Sequence, residues 1–405
     1  MNPLTMTCQF YHCSIPFRLD TYRGCYFSCL YCSSVDRDVN AGLRRIIPAD
    51  FQLVERLFRK SLDGDKPSSS VVVQCLRRRV PVHFGGVSDP LQPAEEKYKL
   101  TLRVLALLKH YDYPTIISSK SHLLLGSQYL ELLDDMKVAV QVTLTTSNER
   151  IAKALEPKAP SVRERLVLLS KLSDKGIWTS CRFQPLIPRV SSDDLDLIDL
   201  VADSGCRHVA IEHYKLPTYA SRRRKQKMAE ACSFEIEGYY RDQCPRPRGM
   251  FFEIPTKEKL RNLRPIVRRI HQRKMTYGAA DNDLHHLGDD VCCCGVGCLE
   301  GFEHYYKYHN AKAVFDGKYS GKIFYSSIKQ EWRPTGSVRE VLNRKSRMKS
   351  SQGKGLSSVS DYVRMKWNTP FSNNSPTDMV NVLPTDEYDD EGNLVYGYQD
   401  KLKLD

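Results

Sequence analysis

Short apolar runs, rich in β-branched and aromatic residues, recur along the first half of the chain, and longer stretches of helical periodicity separate them. Strands that alternate with helices in this way predict parallel βα units rather than a β-sandwich. Six strands are predicted, near Phe17–Tyr22, Val80–Phe84, Thr115–Ser118, Val138–Thr143, Thr179–Pro185 and His208–Ile211. We therefore expect an α/β fold built from βα units.

The stretches between these strands carry helix signals. The leucine-rich segment Leu100–Leu108 suits a buried helix, and Ser161 followed by Glu164 predicts a capping box at the start of another. A further helix, rich in Arg and Lys, is predicted over Thr256–Gln272. The segment Arg344–Gly355 is basic and rich in Ser and Gly, so we expect a linker or surface arm there.

The alternation of strands and helices weakens beyond residue 211, and this change divides the chain into three predicted regions. Residues 1–215 form the predicted core, and residues 216–310 form a basic extension rich in Cys and His. Residues 311–405 form a C-terminal region that we expect to be partly flexible. The chain is long enough for a large core with two appendages.

Composition narrows the class of protein. Of the 405 residues, 41% are hydrophobic and 27% are charged, which excludes wholesale disorder and a fibrous repeat. No run approaches about 18 consecutive apolar residues, and Met1–Thr5 lacks a basic flank before an apolar segment, so we expect a cytoplasmic protein. The 14 cysteines are clustered, which favours metal ligation over a disulfide framework. The net charge of +13 attracts polyanions without identifying one.

Three cysteines, Cys25, Cys29 and Cys32, directly follow the first strand at a C-x3-C-x2-C spacing. Three thiolates are one short of a closed site, and a loop this tight can wrap one iron–sulfur cluster. An iron without a protein ligand is free to bind a substrate or cofactor. The alternative is a structural zinc loop whose fourth ligand is one of three nearby side chains, Cys8, His12 or Cys13.

The cysteine loop resembles the signature loop of radical S-adenosylmethionine (SAM) enzymes, C-x3-C-x-aromatic-C, with Tyr31 as the aromatic residue. The preceding Tyr22–Gly24 is similar to the spore photoproduct lyase-like branch of that superfamily. Further segments match motifs of the branch in the same order: Val87–Glu95, Ser118–Ser121, Leu144–Thr146 and Leu155–Pro160 with Arg163. The resemblance implies a partial (β/α)6 TIM-like barrel of the radical SAM type, followed here by the cysteine-rich extension.

The resemblance also implies a chemistry. Cys25, Cys29 and Cys32 would hold a [4Fe–4S] cluster whose open iron binds SAM. One electron, from a reductant such as flavodoxin or ferredoxin, would cleave SAM to a 5′-deoxyadenosyl radical that abstracts a hydrogen atom. The cofactor-binding residues implied are Lys120 for the methionyl carboxylate, Ser88 and Asp89 for its ammonium or the ribose hydroxyls, Tyr31 near the adenine, and Thr145. No catalytic residue of the substrate reaction is identified.

The predicted strands provide a separate check on these polar residues, because functional groups of parallel barrels gather at the carboxyl ends of the strands. Ser88, Asp89, Lys120 and Thr145 follow successive strands, and Gln184, Glu212 and His213 end the last two. All of them are therefore expected on one rim of the barrel.

One position departs from the lyase. The spore photoproduct lyase uses a cysteine two residues before its Ser-Asp pair as a hydrogen-atom donor, and this chain has Gly86 there. Glycine cannot donate a hydrogen atom in this way. The chain is therefore expected to have a different substrate or a different end to the radical reaction.

A second cysteine cluster, Cys292–Cys298, follows the histidine-containing segment Asp281–Gly288. Adjacent cysteines cannot all point the same way, so Cys292, Cys294 and Cys298 are the candidate ligands of a second metal site. An auxiliary iron–sulfur cluster, a structural zinc ion and simple reduced thiols in a glycine-rich turn all remain open.

The leading substrate hypothesis is a nucleic acid, either DNA or a modified base in it, consistent with DNA modification or repair. Tyr239 and Tyr240 beside Arg241 suit base stacking. The basic stretches that favour this hypothesis are Arg222–Lys227, Arg241–Arg248, Arg261–Lys274 and Arg344–Lys354. One alternative is a radical SAM enzyme for a small metabolite or peptide. Another is a non-catalytic zinc and nucleic-acid-binding protein, which has no use for Lys120 or the Ser88-Asp89 pair on the rim.

Overall fold

The computed structural model describes residues 3–7, 9–35, 45–342 and 358–404. An eight-stranded sheet lies at its centre, in the order β1-β2-β5-β6-β7-β8-β9-β12. The strands, numbered along the chain, are β1 Leu4–Met6, β2 Phe17–Leu19, β3 Tyr22–Arg23, β4 Ile47–Pro48, β5 Val82–Phe84, β6 Thr115–Ser119, β7 Val138–Thr143, β8 Trp178–Leu186, β9 His208–His213, β10 Leu216–Pro217, β11 Phe251–Phe252, β12 Thr276–Ala279, β13 Lys322–Ile323, β14 Val382–Tyr388 and β15 Leu394–Tyr398.

Helices cover the sheet and extend beyond it. The α-helices are α1 Phe51–Phe58, α2 Val71–Arg78, α3 Ala94–Tyr98, α4 Leu100–His110, α5 Ser127–Leu133, α6 Glu149–Leu155, α7 Val162–Asp174, α8 Leu195–Asp203, α9 Arg222–Cys232, α10 Ile236–Gln243, α11 Thr256–Gln272, α12 Asn310–Gly317, α13 Ser326–Lys329 and α14 Val359–Trp367. Short 3₁₀-helices cover His122–Leu125, His285–Leu287, Val338–Glu340 and Pro376–Asp378, and a π-helical turn covers Arg59–Asp63.

The central sheet is parallel from β2 to β12, and only β1 at one edge runs antiparallel to its neighbour. All six predicted strands are present, as β2, β5, β6, β7, β8 and β9. Among the described residues β1 and β12 do not pair, so the sheet stays open. The prediction of a partial barrel of parallel βα units is therefore confirmed.

The middle strands of the sheet are covered on both faces. Every residue of β6 and β7 is buried. On one face, Ile116 of β6 and Ala139 of β7 pack against the segment that contains Cys292 and Cys294. The predicted capping box is present at the start of α7. There, Ser161 Oγ accepts from the Glu164 backbone N–H at 3.2 Å, and the Glu164 carboxylate accepts from the Ser161 N–H at 2.7 Å. Helix α11 begins and ends at the residues that the sequence predicts.

A seventh parallel strand, β12, was not predicted. It has only four residues, too few for a clear alternation, and it pairs with β9 from Thr276↔His208 to Ala279↔Ile211. The sheet thus continues past residue 215, where the core was predicted to end, and the three-region division stays a prediction. The predicted linker Arg344–Gly355 lies outside the described residues.

A smaller sheet, in the order β13-β15-β14, belongs to the C-terminal region. It packs against α14 through Trp367, whose indole N–H donates to the Leu394 carbonyl oxygen at 2.7 Å. No helix in the part of the chain that the structure describes is long and apolar enough to cross a membrane.

Gly278 in β12 provides a test of how the second cysteine segment packs on the sheet. A Cβ atom at Gly278 would lie 2.2 Å from the Cys293 carbonyl oxygen and 2.6 Å from His208 Nε2. We expect Gly278→Ala to lower the free energy of unfolding by about 1–3 kcal/mol, because backbone and ring must shift. Urea denaturation measures the change. Gly238→Ala is the control, since its Cβ would meet only Glu235 Cγ at 3.4 Å, and equal losses in both variants would contradict the expectation.

Candidate active site at the carboxyl ends of the strands

The carboxyl ends of the parallel strands surround a cavity of about 490 Å³. Its lining includes all three cysteines of the first cluster, together with polar side chains that follow or end β5 to β9. The lining includes Arg18, Cys25, Cys29, Tyr31, Cys32, Gly86, Ser88, Asp89, Lys120, Thr143, Arg182, Gln184, Glu212, His213, Lys215 and Glu253. Parallel strands present their carboxyl ends at one rim, which is why residues far apart in sequence meet here.

The cysteine loop is held from one side by Gln92, which is fully buried. Its side-chain oxygen accepts from the Tyr26 N–H at 2.8 Å, and its amide nitrogen donates to the Gly24 carbonyl oxygen at 3.1 Å. Gly24 has a φ of +85°, a conformation that a residue with a Cβ atom adopts only with strain. Gln92 lies in a segment that carries the family resemblance, and the structure adds its contact with the loop.

Arg224 of α9 holds the same loop from the other side. Its Nε donates to the Leu30 carbonyl oxygen at 2.9 Å, and its Nη2 donates to the carbonyl oxygens of Cys29 and, at 3.3 Å, Cys32. In the sequence, this arginine belongs to the basic stretch Arg222–Lys227, which favours nucleic-acid binding. The structure instead uses it to satisfy carbonyl groups of the cysteine loop.

The three thiols fit a metal cluster by their donor chemistry. Burial raises the pKa of Cys29 to about 12 and that of Cys25 to about 11, so thiolates form there only when a positive charge compensates them. Cluster irons supply such a charge, and thiolates are the ligands that they prefer. Within the described ranges, no three His, Cys, Asp or Glu side chains are arranged to hold a single metal ion. A [4Fe–4S] cluster differs from a single ion because each thiolate binds its own iron.

A buried carboxylate, Glu156, connects the cysteine loop to the rest of the barrel. It accepts a hydrogen bond from the Tyr31 hydroxyl and forms an ion pair with Arg165. Arg165 also donates to the Thr143 carbonyl oxygen at 2.9 Å, at the end of β7. Lys120 Nζ lies 4.0 Å from Glu156 Oε1 and 5.8 Å from the centre of the Tyr31 ring. Glu156 lies in a segment that carries the family resemblance, and the structure adds its ion pair with Arg165.

Lys120 points an ammonium group at this network. Burial by itself disfavours the charged form, but the Cys29 thiol and the Glu156 carboxylate outweigh it, so the pKa of Lys120 lies above its ordinary value. The side chain stays 15% exposed. Lys120 is therefore a cation at neutral pH on the wall of the cavity, next to the cysteine loop.

Ser88 and Asp89 also line the cavity, but their polar atoms have partners within the chain. Ser88 Oγ donates to the Tyr22 carbonyl oxygen at 2.5 Å. Asp89 accepts from Ser119 Oγ at 2.8 Å and from the Lys120 N–H at 2.8 Å. Burial raises the pKa of Asp89, while these hydrogen bonds act in the opposite direction. Asp89 thus joins the loop after β5 to the turn that carries Lys120.

Thr145 does not line the cavity, whereas Thr143, the last residue of β7, does. The Thr145 hydroxyl is buried and has no hydrogen-bond partner among the described residues. Its assignment to the cofactor site stays a prediction.

His213 was predicted on the rim of the barrel, but its hydrogen-bond partner Asp281 was not predicted. His213 Nδ1 lies 2.6 Å from Asp281 Oδ2, and Asp281 Oδ1 lies 3.4 Å from the Nζ of buried Lys259. Burial alone would raise the pKa of Asp281, but Lys259 and His213 hold it below its ordinary range. Because β9 and β12 are parallel neighbours, the residues that follow them meet at one edge. The missed strand β12 is the reason that this pair could not be predicted.

The second cysteine cluster is partly buried and packs against Ile116 of β6, Ala139 of β7 and Trp178 of β8. Cys292 and Cys294 are buried, and Cys298 is exposed. Hydrogen bonds from the thiols of Cys292 and Cys293 lower the pKa of Cys294 well below its ordinary value. A second metal site stays a prediction.

The partial parallel barrel that carries this cavity is the fold of the radical SAM class. Residues 19–201 match the model of the Radical SAM superfamily, and this part of the chain belongs to that superfamily. The chain is 26% identical over 209 residues to an uncharacterized protein of Mycobacterium tuberculosis. The matched region covers 49% of this chain and 59% of that protein. The chain is 28% identical over 133 residues to a Radical SAM Nalpha-GlyT isomerase of Pseudomonas phage M6. That match covers 32% of this chain and 27% of the isomerase.

The chain therefore spans less than two thirds of the curated relatives that it matches. Among solved structures, a mutant spore photoproduct lyase with bound AdoMet and dinucleoside spore photoproduct has a TM-score of 0.50 and 14% identity. That match covers 68% of this chain and 79% of the other. The resemblance to the spore photoproduct lyase-like branch is confirmed at the level of the fold.

The role of Arg224 in holding the cysteine loop is testable through metal retention. We expect Arg224→Gln to lose bound iron several times faster than the wild type during anaerobic gel filtration with a chelator, because three carbonyl groups lose their donor. The neighbouring exposed Arg223→Gln is the matched control. Equal iron-loss rates in the two variants would show that Arg224 does not hold the loop.

The buried Asp281 predicts a particular pH dependence of stability. Its pKa in the folded protein is below the unfolded value of about 3.9, so its stabilisation is present above about pH 4 and is lost as the pH falls through the folded pKa. The free-energy gap between wild type and Asp281→Asn should therefore be constant from pH 6 to 7 and shrink below about pH 4. Chemical denaturation across this range measures the gap. A gap that grows on acidification would refute the assignment, and exposed Asp65→Asn serves as the control.

Proposed function

We propose that this protein is a radical SAM enzyme that reductively cleaves SAM to a 5′-deoxyadenosyl radical and abstracts a hydrogen atom from its substrate. One observation carries the proposal. The thiols of Cys25, Cys29 and Cys32 line the same cavity as Lys120 and the Ser88-Asp89 pair. A [4Fe–4S] cluster bound by these thiols would supply the electron and the open iron site for SAM.

The residues of the chain have distinct tasks in this proposal. The three cysteines hold the cluster, and the backbone contacts of Gln92 and Arg224 keep their loop in place. The Lys120 ammonium suits the carboxylate of SAM, because it is a cation on the cavity wall beside the cysteine loop. Asp89 is a positioning residue for Lys120, since its carboxylate accepts the Lys120 backbone N–H.

SAM cleavage tests the proposal directly. After anaerobic reconstitution with iron and sulfide, the dithionite-reduced wild type should convert SAM to 5′-deoxyadenosine, measured by mass spectrometry. Cys29→Ala should yield none, whereas Cys244→Ala, outside the cavity lining, should match the wild type. A colourless, zinc-loaded protein that leaves SAM intact would refute the proposal and favour the non-catalytic binding protein.

The proposed substrate is a nucleic acid. The dinucleoside in the related solved structure supports this choice, as does the net charge of +13. The basic stretches support a nucleic-acid substrate less strongly, because several of their arginines form ion pairs with carboxylates within the chain. Arg241 pairs with Glu237 at 2.8 Å and Arg269 with Asp199 at 2.6 Å. The stretch Arg344–Lys354 lies outside the described residues.

Nucleic-acid binding has a measurable electrostatic signature. We expect single-stranded or duplex DNA oligonucleotides to bind with an affinity whose logarithm falls linearly with the logarithm of the salt concentration, because phosphate contacts release counterions. Fluorescence anisotropy at several salt concentrations measures the slope. Absent or salt-insensitive binding would favour the alternative of a small metabolite or a peptide.

Three further expectations complete the proposal. A flavodoxin or ferredoxin is the proposed reductant, and the cytoplasm the proposed location. An iron–sulfur cluster or zinc ion at Cys292, Cys294 and Cys298 is the proposed second metal site. Metal analysis of a triple alanine variant tests that site, and unchanged iron and zinc content would exclude it.

A further inference from the structure

Arg18 of β2 is a cation of the cavity lining that has no ion-pair partner among the described residues. Its side chain lines the cavity, and its Nε atom is buried without a hydrogen bond. No carboxylate of the described residues lies within 4.0 Å of its guanidinium group. A guanidinium group carries five N–H donors, and leaving such donors unsatisfied away from water is costly. Arg18 is therefore placed to receive an acceptor that the folded chain does not supply.

Gly86 makes the space that Arg18 occupies. A Cβ atom at Gly86 would lie 3.0 Å from Arg18 Cδ and 3.3 Å from Arg18 Nε. This is the position where the resemblance places a hydrogen-donating cysteine in the lyase. The loss of that side chain thus leaves room for a guanidinium group in the same cavity.

Arg182 of β8 is a second cavity cation without a carboxylate partner among the described residues. Its Nε donates to Gln184 Oε1 at 2.6 Å, and its Nη1 lies 3.4 Å from Ser118 Oγ. Burial, together with the charges of Arg182 and Arg18, lowers the pKa of His83 to about 3. The geometry agrees: Arg18 is the register neighbour of His83 on β5, and Arg182 Nη1 lies 3.5 Å from His83 Nε2.

The other charged groups of the cavity already have partners. Lys120 lies beside Glu156, and Lys215 Nζ lies 2.7 Å from Glu212 Oε1. Glu253 pairs with Lys259 at 3.1 Å. Asp89 accepts hydrogen bonds from Ser119 Oγ and the Lys120 N–H. Among the described cations of the lining, only Arg18 and Arg182 therefore have no carboxylate within 4.0 Å. An oxyanion with several acceptor oxygens matches two guanidinium forks better than a neutral ligand does.

We propose that Arg18 and Arg182 form an oxyanion-binding subsite that holds a phosphate group of the substrate nucleotide within the cavity. The choice of phosphate rests on the proposed nucleic-acid substrate. Gly86 borders the subsite, because a Cβ atom there would make close contacts with Arg18 Cδ and Nε and would force the Arg18 side chain to shift. The subsite separates this chain from the lyase by its chemistry: a positive charge stands where the lyase has a thiol.

The probe for this subsite is inorganic phosphate, titrated into the reconstituted full-length protein at constant ionic strength without reductant. Calorimetry should show one phosphate per chain. Arg18→Gln and Arg182→Gln should each weaken binding about tenfold or more, because charge-assisted hydrogen bonds are lost. Gly86→Ala should also weaken it, whereas Gly238→Ala and the exposed Lys171→Gln should not. Thermal unfolding without phosphate checks that each variant is folded.

A second comparison identifies the source of the phosphate. Thymidine 5′-monophosphate should compete with inorganic phosphate, and thymidine should not. Absent phosphate binding, or equal binding in wild type and both arginine variants, would overturn the subsite. Loss of SAM binding in Arg18→Gln without loss of phosphate binding would assign Arg18 to SAM and also overturn it. The 5′-deoxyadenosine assay is independent of these titrations, so failure of the subsite and failure of the proposed radical chemistry are distinguishable.

Discussion

The site depends on one buried carboxylate. Glu156 accepts a hydrogen bond from the Tyr31 hydroxyl of the cysteine loop and forms an ion pair with Arg165 of α7. Its Oε1 atom lies 4.0 Å from Lys120 Nζ. An unpaired carboxylate at this depth would be very unfavourable, so the three elements that carry these partners must stay together. The same contact therefore links the loop that would hold a cluster, the cation proposed for SAM and the helix packed on β7.

Charge in this protein serves the interior as much as the surface. Arg224 binds carbonyl groups of the cysteine loop, and Lys259 is buried among carboxylates that raise its pKa well above the ordinary value despite burial. These residues look like parts of a polyanion-binding face when only the sequence is considered. Buried cations of this kind are tolerated because each has acceptors or carboxylates around it. Arg18 stands apart because its side chain has none among the described residues.

The cavity has two walls of different character. The cysteine loop, Lys120 and Asp89 form a wall whose polar atoms are mostly engaged within the chain, which suits a cofactor that binds in one fixed pose. The other wall includes His213, whose Nδ1 is held by Asp281 while its Nε2 is buried without a partner among the described residues. Two residues of the cavity lining, Arg18 and His213, therefore have a buried nitrogen atom without a hydrogen-bond partner among the described residues.

The sequence by itself determined the six βα units, the capping box before α7, the bounds of α11 and the spacing of Cys25, Cys29 and Cys32. These features are local, since periodicity, capping and ligand spacing depend on residues close together along the chain. Only the tertiary structure decided that β12 joins the sheet, that Asp281 holds His213, and that Arg224 secures the cysteine loop. Each of these contacts joins residues about 70 or more positions apart, and a pattern of neighbouring residues carries no information about such pairs.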